Sequence, residues 1–182
     1  ILFLLTPAEN MAKFQHLVAT IARFEELYQA NVAVSSMLPT LVKAHPQYQN
    51  MRIQDLCRKM HDFYRKHQLN VLLQQMFQRE HLPRVSLDPH RAHDAYIRNQ
   101  IELVPLSEIE GRIAAEGALP YPPGVLCIVP GEIWGGATLK YFRALEEGVN
   151  ELPGFEPEIQ GVYWERDSNG RKYATAYVLK NS

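Results

Sequence analysis

The stretch that most constrains the fold spans residues 111–132 and reads GRIAAEGALPYPPGVLCIVPGE. Prolines at positions 120, 122 and 123 fix the backbone φ angle at three places and restrict the residues that precede them. We therefore expect a stiff, extended segment that turns at Gly124. The apolar run that follows, residues 125–129, predicts a buried strand that closes with a Pro-Gly turn.

Two side chains near the ends of this segment are candidates for a functional site. Glu132 follows the Pro-Gly turn at the end of the predicted strand, where loops gather and a carboxylate could meet a cationic ligand. Tyr121 stands in the stiff loop, and such loops position side chains at the mouth of a site. The alternatives are structural: the loop only orients the strand, and Glu132 bonds only to nearby amides.

The residues that follow this segment predict a helix and then a hairpin. Apolar side chains at helical spacing end near the Pro-Gly pair at residues 153–154: Leu139, Phe142, Leu145, Val149 and Leu152. Farther on, residues 173–179 alternate in the manner of a strand, residues 167–170 are rich in turn formers, and residues 162–164 are the expected partner strand.

The residues before the segment predict several helices. Helical spacing of apolar residues indicates helices at about residues 53–64, 69–77 and 88–99, and a short helix and loop within residues 36–50. Two packed helices or one long bent helix fit residues 53–77 equally well. Asp88 is the expected cap of the last of these helices, with Pro89 in its first turn. Residues 107–111 suggest one brief helical turn stopped by Gly111.

The opening residues indicate a strand followed by a long helix. Residues 1–5 are all apolar, as in a strand buried on both faces, and Thr6, Pro7 and Glu9 form a capping-box pattern for a helix that runs to about Tyr28. The apolar stripe of that helix is expected to face the strand. Because a buried strand needs neighbouring strands, we interpret the chain as the C-terminal part of a larger α/β-containing protein.

Composition narrows the possible functions. The 182 residues are 46% hydrophobic and carry a formal net charge of −1, which fits a folded domain and gives no reason to expect nucleic acid or an anionic membrane as a partner. Two isolated cysteines suggest reduced thiols and a cytoplasmic protein. No run approaches the ~20 apolar residues that a membrane span requires.

Motifs for several kinds of chemistry are incomplete. Cys57 and His61 stand four residues apart, and His90 and His93 three apart, but neither pair has a third and fourth ligand nearby, so we expect no metal site. The sequence contains no G-x-S-x-G nucleophile elbow and no glycine-rich phosphate loop.

Several parts of the chain nevertheless resemble one known family. The run at residues 111–132, the helix YFRALEEG at residues 141–148, and LPGFEPEIQGVY at residues 152–163 are similar to the C-terminal region of the bacterial ornithine/lysine/arginine decarboxylases. So are FLLTPAE at residues 3–9 and LCRKMHDFY at residues 56–64. Within that family, the likeness is greatest to the ornithine decarboxylases.

The resemblance implies a large homo-oligomeric enzyme that uses pyridoxal 5'-phosphate to convert L-ornithine to putrescine and CO₂. The family's Ser-x-His-Lys segment, which supplies the cofactor lysine, is absent, and no histidine directly precedes a lysine in these residues. The resemblance therefore places the cofactor lysine, its stacking histidine and its pyridine-bound aspartate upstream. We expect this fragment to bind no cofactor and to have no activity by itself.

The expected fold is α+β. Residues 1–38 would be the strand and long helix that end an aminotransferase-like small domain, and residues 39–182 a C-terminal domain of helices on a mostly antiparallel sheet. Glu132 and Tyr121 would lie at the substrate entrance, attracting the distal ammonium of ornithine. The alternative is a non-catalytic assembly or regulatory module of a lysine or arginine decarboxylase.

Overall fold

A computed structural model of the chain describes residues 9–121 and 124–181. The chain divides into two compact units, Ile1–His61 and Asp62–Ser182. The predicted strand at residues 1–5, the helix-start residues Thr6 and Pro7, and the prolines at 122 and 123 lie outside the described residues.

The first helix, α1, spans Met11–Gln29 and begins later than the sequence predicts. Glu9, expected in the first helical turn, precedes the helix. Asn10 is the cap, because its side-chain oxygen accepts a hydrogen bond of 3.0 Å from the Lys13 amide. No described residue of α1 is buried, although the helix carries the apolar stripe that the sequence shows.

Short helices form the rest of the first unit. These are α2 (Val34–Met37), α3 (Pro39–Ala44), a 3₁₀ turn at Pro46–Tyr48, and the beginning of α4 (Ile53–Lys66). Two backbone hydrogen bonds join the start of this segment to its end: the Val34 amide donates to the Met51 carbonyl, and the Ile53 amide donates to the Val32 carbonyl. A small core lies among them, composed of Val34, Val42, Tyr48, Ile53 and Leu56.

The second unit continues with the end of α4, α5 (Leu69–Gln75), a 3₁₀ turn at Arg79–His81, α6 (Pro89–Ile97) and α7 (Gly136–Glu151). Between the two alternatives for residues 53–77, the structure shows two helices, separated where Gln68 adopts a left-handed φ of 51°. Asp88 precedes α6 as predicted, but its side chain makes no capping hydrogen bond.

The strands of the second unit are all antiparallel. They are β1 (Ile101–Pro105), β2 (Leu119–Tyr121), β3 (Glu158–Gln160), β4 (Tyr163–Arg166) and β5 (Lys172–Leu179). One sheet has the order β1-β5-β4, and β2 pairs with β3 in a second. The predicted tail hairpin is therefore confirmed, and so is the α+β fold. Its turn is held by the Asp167 carboxylate, which accepts from the Asn169 and Arg171 amides.

The core of the second unit lies where α7 packs against β5. Trp134 and Phe142 meet edge to face with ring centroids 5.3 Å apart, and both are 1% exposed. Polar contacts fix the pairing of helix and strand. The Asn150 amide exchanges two hydrogen bonds with the backbone of Lys172, and the Glu146 carboxylate accepts from the Ala174 amide at 2.7 Å.

Two local predictions are wrong. Residues 125–129 form no strand: they make a single bridge, from Ile128 to Ala118, because the next hydrogen-bonded pair along β2 would need an amide at Pro120, which has none. Residues 107–111 form non-helical turns, and not the short helix that the sequence predicts.

Candidate functional site

Tyr121 is the last residue of β2, and the pairing of β2 with β3 determines which way the side chains of β2 face. In this pairing Pro120 lies opposite Ile159, and both are buried. Tyr121 lies opposite Glu158, and both are exposed, with Tyr121 54% exposed. Because neighbours along a strand alternate between the faces of a sheet, Tyr121 and Glu158 share the outer face.

A tight turn at Gly124 follows. Its amide donates to the Pro120 carbonyl at 3.2 Å, and its φ of +77° is in the left-handed region that favours glycine. A Cβ at this position would also meet the Tyr121 ring at 2.9 Å. The aromatic ring thus lies against the glycine backbone, and the two residues restrict each other.

The chain then returns along Ala118. The Cys127 amide donates to the Ala118 carbonyl at 3.0 Å, and the Ala118 amide donates to the Ile128 carbonyl at 3.1 Å. Val125 and Leu126 are 48% and 47% exposed, whereas Cys127 and Ile128 are buried. The apolar run that resembled a strand is therefore a folded loop with an exposed apolar tip.

The Pro-Gly turn at residues 130–131 is enclosed by two other segments. The Gly131 carbonyl accepts from the Ser86 and Leu87 amides, and its own amide donates to Ala114 at 2.8 Å. Its φ is +92°, and a Cβ there would overlap the Leu87 carbonyl oxygen. Only glycine fits without displacing the backbone of the neighbouring segment.

Glu132 has a structural bond in this turn. Its carboxylate accepts from the Val129 amide at 2.7 Å, while its own amide donates to the Val129 carbonyl at 3.0 Å. The backbone of Glu132 also pairs with Val85. The residue is half-buried, and its carboxylate supports the loop. Among the described residues, no hydrogen bond connects Glu132 with Tyr121.

A third carboxylate lies near the other end of the segment. Glu116 accepts a hydrogen bond of 2.7 Å from the Tyr163 hydroxyl, and the Tyr163 ring meets Tyr177 edge to face at 5.1 Å. Burial, together with this bond to a carboxylate, raises the pKa of the Tyr163 phenol. Tyr163 is therefore a neutral donor at physiological pH.

The sequence analysis did not single out Glu158 or Glu116. The strand pairing that places Glu158 opposite Tyr121 joins residues 37 positions apart, and no local pattern marks it. The alternation of residues 158–160 is three residues long, too short to indicate a strand.

The thiols and histidines do not form a reactive centre. Burial raises the pKa of the Cys127 thiol to about 11 and also raises that of Cys57, so both thiols are protonated at neutral pH. His90 lies 3.6 Å from Asp94 in an exposed pair. Within residues 9–121 and 124–181, no group of three or more histidine, cysteine or acidic side chains could hold a metal ion. No described helix is long and apolar enough to cross a membrane.

Comparisons with known proteins find relatives that cover nearly the whole chain. A sequence profile described as Orn/Lys/Arg decarboxylase, C-terminal domain, matches residues 70–180. The inducible ornithine decarboxylase of Escherichia coli (strain K12) is 57% identical over 181 residues, which are 99% of this chain and 25% of that enzyme. The ornithine decarboxylase of Haemophilus influenzae is 52% identical over 180 residues, covering 98% of this chain and 25% of its own length.

A solved structure shows the same fold. Lysine decarboxylase A from Pseudomonas aeruginosa matches with a TM-score of 0.85 at 31% identity, covering 97% of this chain and 24% of its own. The chain thus spans about a quarter of the length of the relatives it matches.

Proposed function

Because the chain belongs to the Orn/Lys/Arg decarboxylase C-terminal domain family, we propose that it is the C-terminal part of an ornithine decarboxylase that converts L-ornithine to putrescine and CO₂. One observation carries the choice of substrate: identity is 52–57% with the ornithine decarboxylases of Escherichia coli and Haemophilus influenzae but 31–35% with lysine decarboxylases. The proposed setting is a homo-oligomeric cytoplasmic enzyme of polyamine biosynthesis.

The residues of this chain do not fit the cofactor of such an enzyme. Pyridoxal 5'-phosphate acts as an electron sink during decarboxylation and is held by a lysine in an enclosed site. Six of the seven lysines are exposed, and the seventh, Lys172, lies 3.3 Å from Glu156. The cofactor would therefore be bound by parts of the longer polypeptide outside this chain.

A simple measurement tests this assignment. The isolated 182-residue chain is mixed with pyridoxal phosphate, dialysed, and examined by absorbance. No Schiff-base band should survive dialysis, and no CO₂ should be released from ornithine. A stable band at one cofactor per chain would overturn the assignment.

The domain boundary is part of the same proposal. Residues 1–38 would end an aminotransferase-like small domain, and residues 39–182 would form the C-terminal domain. The exposed apolar stripe of α1 supports the assignment of this helix to a domain that other residues complete, since a surface helix of a complete domain normally buries its apolar face.

The proposed contribution of this chain to the reaction is electrostatic and positional. Glu132, held by the Val129 amide, would attract the distal ammonium of ornithine near the substrate entrance, and Tyr121 would border that entrance. The pairing of β2 with β3 and the enclosed turn at Gly131 support this role, because backbone hydrogen bonds hold the chain in place at both residues.

Replacing Glu132 by glutamine in the full-length enzyme tests the entrance. Glutamine keeps an oxygen for the Val129 amide but removes the charge, so kcat/KM for ornithine should fall several-fold at low salt and less at high salt. Glu80→Gln, a charge change in an exposed 3₁₀ turn, is the control. Unchanged kcat/KM at low salt would remove Glu132 from the entrance.

A further inference from the structure

The turn that joins β4 to β5 contains an asparagine followed by a glycine. The chain has eight asparagines, and only Asn169 precedes a glycine, Gly170. Every residue of the segment 163–171 is exposed. Exposed hairpin tips are among the parts of a fold that open most easily, and solvent reaches them freely. We refer to residues 167–170 as the β4–β5 turn.

Hydrogen bonds that involve Asp167 hold the β4–β5 turn closed. The Gly170 amide donates to the Asp167 carbonyl at 3.0 Å, and the Asp167 amide donates to the Arg171 carbonyl at 3.0 Å. The Asp167 carboxylate accepts from the amides of Asn169 and Arg171 at 2.8 and 2.9 Å. Gly170 has a left-handed φ of +78°. This combination is typical of a type I turn followed by a left-handed glycine.

The Asn169 side chain takes no part in this network. In the part of the chain that the structure describes, its carboxamide forms no hydrogen bond, so the group can rotate towards the main chain. Gly170 has no side chain to shield its amide nitrogen from the Asn169 Cγ atom. Each of the other seven asparagines precedes a residue with a side chain, which hinders the same approach.

We propose that Asn169 is a site of spontaneous modification, deamidation through a cyclic imide. The Gly170 amide nitrogen gives up its proton to a solvent base and attacks the Asn169 Cγ carbon. A C–N bond forms there, the bond to the side-chain nitrogen breaks, and this nitrogen takes a proton from solvent and leaves as ammonia. Water then opens the imide: cleavage at Cγ gives aspartate, and cleavage at the main-chain carbonyl gives isoaspartate. Water is consumed and ammonia released in equal amounts, with no change in oxidation state.

The β4–β5 turn itself restrains this reaction. The Gly170 amide must leave the Asp167 carbonyl before its nitrogen can attack Asn169, so the turn has to open first. The Asp167 carboxylate stabilises the closed turn through its two further hydrogen bonds. The rate of deamidation is therefore set by how often the turn opens, and Asp167 controls that opening.

The products change the hairpin in two ways. Both place a new carboxylate two residues from that of Asp167. Isoaspartate also routes the main chain through the Asn169 Cβ atom, which lengthens the loop between the paired residues Arg166 and Lys172. Because loop length sets the register of a hairpin, the longer loop disfavours the β4–β5 pairing. The site is independent of the proposed function, since it uses no residue of the proposed entrance and needs no cofactor.

Ageing of the full-length, cofactor-loaded enzyme tests the site. Samples kept at neutral and at alkaline pH are digested under mildly acidic conditions, and mass spectrometry locates each asparagine that has been converted. Conversion should be fastest at Asn169 and faster at alkaline pH, because the attacking nitrogen must lose a proton. Asn70, exposed on α5 but followed by Val71, is the internal control and should remain an amide.

Two results of this experiment would overturn the proposal. One is faster conversion at any other asparagine of the 182-residue chain. The other is an intact Asn169 after a synthetic peptide of residues 165–173, which has no folded turn to protect it, has been converted completely.

Substitutions test the role of the turn. Asp167→Ala removes two hydrogen bonds and should speed the conversion of Asn169 about fivefold. Asp62→Ala removes an exposed acidic side chain outside the hairpin and should change the rate less than about twofold. Asn169→Gln should abolish ammonia release from the turn, since glutamine forms the corresponding larger ring much more slowly. Conversion of the Asp167→Ala variant at the wild-type rate would contradict control by the turn.

Discussion

Helices α1 and α7 share a pattern of apolar residues, but α7 is packed in the core and α1 is exposed. Both carry apolar side chains at spacings of three and four. In α7 seven residues are buried, and Phe142 is 1% exposed. In α1 none is buried, and Phe14 and Phe24 are 44% and 43% exposed. An apolar stripe thus shows that a helix can pack, but only a second apolar surface in the right place makes it do so.

The largest expected difference in stability is between alanine substitutions of one phenylalanine in each helix, Phe142 in α7 and Phe24 in α1. Phe142→Ala should lower the free energy of unfolding by about 3–5 kcal/mol, because it removes a ring packed on Trp134 and leaves a cavity. Phe24→Ala, in the exposed stripe, should cost less than about 1 kcal/mol. Urea unfolding of the chain measures both. Similar losses for the two variants would show that α1 is packed in solution.

The effect of a substitution in α1 should depend on whether the rest of the enzyme is present. Ile21 is 51% exposed on the α1 stripe. If a preceding domain covers that stripe, Ile21→Ala should cost about 2–4 kcal/mol in the full-length enzyme and almost nothing in the 182-residue chain. Unfolding curves of both lengths provide the test. Equal, small effects in the two would contradict the assignment of α1 to a preceding domain.

Polar contacts of the two helices give a smaller difference. Asn150→Ala in α7 removes two hydrogen bonds to the Lys172 backbone and should cost about 1–3 kcal/mol. Asn10→Ala removes the cap of α1, an effect of about 1 kcal/mol or less that should appear mainly as lower helicity. Circular dichroism and urea unfolding separate the two. A larger loss for Asn10 would mean that α1 controls the stability of the chain.

The smallest expected effect is the pH dependence of α7 packing. Burial raises the pKa of Glu146 above its ordinary 4.5, so the folded state holds its proton more tightly, and stability from this group is lost as pH rises through the folded pKa. Glu146→Gln should remove that loss while still accepting from Ala174. As pH rises above 4.5, the free energy of unfolding of the variant should increase relative to that of the wild type. At pH 3 the two proteins should differ little in stability.

Glu156 is the matched control for this titration. Burial opposes its charge, but bonds from backbone amides and Lys172 outweigh burial and lower its pKa. The Glu156 carboxylate therefore stabilises the folded state above pH 4.5, and this stabilisation is lost as pH falls through the folded pKa. Glu156→Gln should reduce stability at neutral pH, the opposite sign to Glu146→Gln. The same sign for both variants would contradict a raised pKa for the Glu146 carboxyl.

Local sequence determined the elements whose signals are long and periodic. The spacing of Leu139, Phe142, Leu145 and Val149 predicted α7, and the alternation of residues 173–179 with a turn-rich tetrad before them predicted the β4–β5 hairpin. Such patterns succeed because one face of the element must be apolar wherever it is buried. The family resemblance likewise came from residues that can be recognised along the chain.

Tertiary structure alone decided what depends on distant partners. It made residues 125–129 a folded loop, paired Tyr121 with Glu158, and placed β1 beside β5. Short strands and single polar side chains have no period to read, and their positions follow from contacts tens of residues away. The sequence specifies which surfaces are apolar; the three-dimensional fold determines which of them meet.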